Sequence, residues 1–97
     1  MKRVIYSERS LADLAGIFDY VAQRNPGAAE TLGRGIIDTC NLIGQQPEMG
    51  SRQDELSPGL RLFSHRGYAI YYRIDEHAIR VSRFLHHARD VREQSFD

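Results

Sequence analysis

A single cysteine, Cys40, stands in this chain of 97 residues. One thiol excludes an internal disulfide framework and fits a reducing cytoplasm. Net charge is also missing, because 13 Lys and Arg balance 13 Asp and Glu. That balance argues against a protein that holds nucleic acid by bulk charge, and no sequence-specific nucleic-acid binding is expected of it. No apolar run is long enough for a transmembrane span, so no membrane partner is expected. The opening M-K-R-V-I-Y-S-E-R-S has basic residues but no apolar h-region and does not read as a signal peptide. P-loop, G-x-G-x-x-G and nucleophile-elbow motifs are all absent. None of the four histidines, His65, His77, His86 and His87, pairs with Cys or Asp at ligand spacing. His86 and His87 are adjacent at a strand end and should point to opposite faces, so neither a metal nor another cofactor is expected.

What remains is enough for one domain, 1–97, with a modest core and an ordinary soluble composition of 41% hydrophobic and 27% charged residues. The charges are segregated. Residues 1–59 carry six basic and eight acidic side chains, whereas 60–92 carry seven arginines against Asp75, Glu76 and Asp90. A neutral chain with its arginines on one sheet either meets something anionic there or exposes a solvated face.

The periodicity gives the layout. Val4–Tyr6 reads as a strand. Ser7 then caps a helix from Glu8, whose Leu11, Leu14, Phe18 and Val21 form a stripe for one buried face. Asn25-Pro26 ends this helix and opens a second, with Ala29, Leu32, Ile36, Cys40 and Ile43 in line to about Gln46. The short connection makes an antiparallel hairpin. Cys40 lies on this stripe and reads as a small buried hydrophobe. Gly33 and Gly35 either permit a close approach or are tolerated on the surface. Residues 46–59 read as a loop, followed by strands from Leu60–Ser64, Tyr68–Ile74 and Ile79 onward, joined by hairpin-length turns. The expected fold class is α+β: two antiparallel helices on a small antiparallel sheet, in the order β-α-α-β-β-β.

Arg83 breaks the pattern, since it falls in one row with Ile79, Val81 and Leu85. Such an arginine is structural, through a register-shifting bulge or a paired carboxylate, or else it lines a cleft with Arg61, Arg73 and His86 nearby. A cleft of this kind has the residue types for RNA cleavage: a general base and acid from His86 and a tyrosine such as Tyr68 or Tyr72, and Arg61 or Arg83 for phosphorane charge.

Segments in order along the chain carry a resemblance: D-L-A-G-I-F-D-Y-V-A at 13–22, N-P-G-A-A at 25–29, P-E-M-G at 47–50, L-S-P-G-L-R at 56–61, Y-A-I-Y-Y-R at 68–73 and F-L-H-H-A-R-D at 84–90. Together they resemble the ParE toxins of bacterial toxin–antitoxin pairs, within the ParE/RelE superfamily. The resemblance implies the same two-layer fold and a cytoplasmic toxin neutralised by a ParD-like antitoxin in a hetero-oligomer. It further implies inhibition of DNA gyrase, with no catalytic residues. The alternative is a ribosome-dependent mRNA endoribonuclease of the RelE type, using Arg61, Arg83 and His86. On the first reading Arg83, His86, Arg89 and Arg92 meet the target, while Leu14, Phe18, Arg61 and Arg73 meet the antitoxin. The antitoxin is expected to be acidic with apolar anchors. The tail after His87 is expected to pack lightly, leaving Arg89 and Arg92 exposed.

Overall fold

The computed structural model describes residues 1–87 and 91–96. Strand β1 (Arg3–Tyr6) leads into helix α1 (Glu8–Ala22) through Ser7. The Ser7 hydroxyl accepts the Ser10 N–H at 3.0 Å and donates to the Ser82 carbonyl at 2.9 Å. One side chain therefore caps the helix and ties its start to the sheet. Helix α2 (Pro26–Gln45) starts with proline in the first turn, as its sequence predicts, and the structure adds a cap: Asn25 accepts from Ala28 N–H at 3.1 Å. A 3₁₀ turn at Pro47–Met49 and a two-residue strand, β2 (Ser51–Arg52), then interrupt the expected loop. Strands β3 (Arg61–His65), β4 (Tyr68–Ile74) and β5 (Ala78–His86) follow, and a second 3₁₀ turn spans Val91–Glu93.

The sheet order is β1-β5-β4-β3-β2. Hairpin turns force the last three strands antiparallel, and one of them is the pair Arg66 (φ 46°) and Gly67 (φ 84°) in left-handed geometry. Strand β1 instead pairs with β5 in parallel, from Arg3 opposite Ala78 to Tyr6 opposite Val81. The sheet is therefore mixed rather than wholly antiparallel. The helical hairpin lies between β1 and the other strands in sequence, so no local turn dictates their relative direction.

Both faces of the sheet are buried. Beneath the helices, Ile36, Cys40 and Ile43 pack on Ile70, Tyr72, Val81 and Phe84. The opposite face carries a second cluster of Leu60, Ala69, Tyr71, Leu85 and Phe96. Phe96 is only 5% exposed and packs on Tyr71 with the rings tilted by 56° and their centroids 4.7 Å apart. The described part of the tail, residues 91–96, is thus anchored on the sheet through Phe96, contrary to the sequence expectation. Its two large apolar residues are too far apart for a helical stripe, yet a 3₁₀ turn followed by irregular chain still lays Val91 and Phe96 on the outer face of the sheet.

A β-bulge decides the fate of Arg83. Tyr72 faces Val81 but Tyr71 faces Arg83, so Ser82 is the extra residue. Alternation slips by one. Ile79 and Val81 stay on the helix side, Arg83 and Leu85 cross to the other, and Phe84 turns under the helices. Gly35 also has its explanation: a Cβ there would stand 2.8 Å from His65 Nε2. Gly33 lies against Phe18 at ordinary contact distance, 3.8 Å.

Candidate functional site: the arginines of the sheet and the helical groove

The Arg83 guanidinium is held from two sides. Its Nε and Nη2 donate to the Asp13 carboxylate at 2.7 and 2.9 Å, and Nη1 donates to the Ser95 carbonyl at 3.1 Å. Asp13 also accepts the Phe84 N–H, at 3.1 Å, where β5 continues beyond the end of β1. Donation to the Asp13 carboxylate raises the Arg83 pKa despite burial. Of the two sequence alternatives for Arg83, both structural devices are present, a bulge and a paired carboxylate. At 5% exposure it lines no open cleft.

The other arginines serve different places. Arg61 pairs across the ladder with Tyr72, on the helix side, and donates to the Gly50 carbonyl at 2.7 Å. Tyr72 anchors the same loop: its hydroxyl donates to Pro47 O at 2.6 Å and accepts from Gly50 N–H at 2.9 Å. Arg73 reaches the tail, donating to Phe96 O at 2.6 Å and to the Ser57 hydroxyl, while Ser82 Oγ also donates to Phe96 O. Arg80 is exposed and bonded to Asp75 at 2.5 Å. That bond and the N–H groups of His77 and Ala78 lower the Asp75 pKa to about 2. The cluster of sheet arginines inferred from charge asymmetry is therefore not one surface. Several of its members close loops and the tail onto the sheet.

His86 is exposed at the end of β5 and meets the Tyr68 ring edge-on at 5.3 Å. Both line a hollow of about 490 Å³ between α1 and β5, with Gly16, Tyr20 and Phe84 on its other walls. Arg61 and Arg83, however, project from opposite faces of the sheet, so Arg61, Arg83 and His86 do not converge on one point. Arg92 is exposed, and Arg89 lies outside the described residues. No group of three or more His, Cys, Asp or Glu is placed to hold a metal among the described residues. None of their helices is long and apolar enough to cross a membrane.

The more continuous feature is a groove along the helical hairpin. The stripe on α1 does not form one buried face: Ser10, outside the stripe, is the helix's only fully buried residue. Leu14 and Ile17 lean on the core, but Leu11 and Phe18 remain 50% and 43% exposed. With Leu32 and Ile37 of α2 they line an apolar groove of about 640 Å³. Large exposed apolar side chains in one groove mark an interaction surface more than chance scatter does. Sequence reasoning named Leu14 and Phe18 as contact residues but missed the exposure of Leu11. The signal available was the breadth of the stripe, which Ile17 makes wider than one packing face requires.

Comparison with known proteins agrees with this architecture. The family model for the ParE toxin of the type II toxin–antitoxin system parDE matches residues 4–91. Toxin ParE1 of Caulobacter vibrioides is 29% identical over 93 residues, covering 95% of this chain and 96% of its own. Toxin RelE2 of the same organism is 28% identical over 89 residues, covering 92% and 99%. A solved structure described as the chromosomal ParDE TA system from P. aeruginosa superimposes with a TM-score of 0.77 at 19% identity, covering 89% of this chain and 96% of that one. That likeness carries the two-layer fold. With the family model spanning both helices and nearly the whole sheet, the chain belongs to the ParE toxin family of type II toxin–antitoxin systems.

Proposed function

We propose that this toxin blocks replication by inhibiting DNA gyrase without catalysis of its own, and that a ParD-like antitoxin neutralises it in a hetero-oligomer. The observation that carries this reading is the dispersal of Arg61, Arg83 and His86. Acid–base cleavage of RNA needs its groups within hydrogen-bond reach of the same reacting atoms. Here Arg83 is committed to Asp13, and Arg61 is bonded to a loop carbonyl on the opposite side of the sheet. The zero net charge supports the same reading, because a ribosome-docked nuclease gains affinity from a basic surface. The apolar groove of α1 and α2 suits a segment that folds as it binds, with Leu14 and Phe18 among its contacts.

Purified toxin is expected to inhibit supercoiling by gyrase and raise the yield of cleaved DNA, leaving ribosome-bound mRNA intact. Gyrase activity untouched at micromolar toxin would remove this target. A second reading, RelE-type cleavage of mRNA, draws support from the similarity to Toxin RelE2, nearly equal to that to Toxin ParE1. Primer extension on translated mRNA after induction separates the two. Cuts that vanish with His86→Ala would favour the nuclease.

A further inference from the structure

The groove has an apolar floor and an unbalanced rim. Four charged residues line it: Asp19 on α1, and Glu30, Arg34 and Asp38 on α2. Arg34 and Glu30 neutralise one another at 2.6 Å. Asp19 and Asp38 have no ion pair or side-chain hydrogen bond among the described residues. Two uncompensated carboxylates therefore flank the exposed Leu11 and Phe18.

Helical geometry places the two charges. Gly33 lies against Phe18, so Asp19 is roughly level with Leu32 on the neighbouring antiparallel helix. Asp38 is six residues further on, about 9 Å along the groove at the rise of an α-helix. The two acids thus stand on opposite rims and at different levels.

We propose that the groove selects its partner by charge. Its occupant is an amphipathic helix whose apolar stripe carries lysine or arginine on both flanks, spaced six or seven residues apart, with Asp19 and Asp38 as the specificity-determining residues. This rests on the reading of the groove as the antitoxin's docking surface and alters the chemistry expected there. A segment acidic along its whole length would bring like charge to both rims, and such juxtapositions discriminate against wrong partners. The arginines expected to meet its carboxylates, Arg61 and Arg73, belong to the sheet and are bonded to carbonyls there. A second copy of this chain fits poorly, because a two-fold interface would set the same acidic rims against each other.

Two synthetic helical peptides with one apolar stripe test this, one with lysine and one with glutamate at the flanking positions. Fluorescence anisotropy against the full chain at low salt reads both affinities. The lysine peptide is expected to bind about tenfold tighter, an advantage built from two exposed ion pairs gained and two repulsions avoided. The advantage should shrink with added salt and disappear in the Asp19→Asn, Asp38→Asn double variant. Equal binding of the two peptides overturns the charge selection while leaving a helix-docking groove. Binding of neither overturns both, while the gyrase assay stands apart from either result. Self-association of the toxin alone, abolished by Phe18→Arg, would assign the groove to a second copy and overturn the proposal.

Discussion

Replacing Asp13 by alanine should destabilise this domain more than replacing Arg83, the arginine it holds. The change leaves the Arg83 guanidinium, 5% exposed, without its carboxylate, and the Phe84 N–H without an acceptor. Removing one partner of a buried ion pair costs about 3–5 kcal/mol, and an orphaned buried N–H about 1–3. The Asp13 side chain is 15% exposed, so water can enter the vacated space and the two costs overlap. An overall loss of about 3–4 kcal/mol is the expected result. For a domain of this size that corresponds to a fall in Tm of roughly 12–30 °C. Urea denaturation followed by far-UV circular dichroism measures it directly. Arg83→Met should cost less, since Asp13 would keep its bond to Phe84 N–H and its access to water. The double variant Asp13→Leu, Arg83→Met should recover much of the loss, because an apolar replacement of both partners removes the unpaired charge. A loss under about 1 kcal/mol for Asp13→Ala, or a double variant no more stable than that single one, would refute the argument.

Cys40 should resist thiol reagents in the native state at pH 8 and react at once in urea, since burial pushes its pKa up to about 12. Its raised pKa also predicts stability that holds below the unfolded thiol's pKa and declines as pH rises from about 9 towards 12, which Cys40→Ala should flatten. Asp75 titrates with the opposite sign. Its lowered pKa contributes stability above about pH 4 that is lost as pH falls towards 2, so Asp75→Asn should reduce the acid sensitivity of the urea midpoint in that window. Phe96→Ala should lower stability by about 2–4 kcal/mol, at or below the usual range for a core phenylalanine because the tail can partly close over the gap. An unchanged urea midpoint would mean that the tail does not hold the outer face.

Local chemistry was enough for much of the fold. The stripe of α2, Ser7 and Asn25 at the helix starts, and the turns at Arg66-Gly67 and Asp75 are set by side chains a few residues apart, so they were legible in order along the chain. The resemblance to ParE toxins was carried in the same linear way, and the family match over residues 4–91 agrees with it. The parallel pairing of β1 with β5 could not be read, because the pairing residues are some 75 positions apart in sequence, as Arg3 opposite Ala78 illustrates. The Ser82 bulge was equally hidden. A strict alternation placed Arg83 with Ile79 and Val81, and only pairing against Tyr71 and Tyr72 decides where one residue is extra. Burial of Phe96 and exposure of Leu11 and Phe18 depend on which surfaces the rest of the chain leaves uncovered. Hydrophobicity in the sequence states that a side chain gains by leaving water; whether that gain is made inside the domain or kept for a partner is decided by the area available on the sheet. The same holds for charge. The sequence alone determined that the arginines gather in its second half, while the tertiary structure decided that Arg61, Arg73 and Arg83 turn to different acceptors and that, among the described residues, Asp19 and Asp38 stand unpaired on the rims of the helical groove.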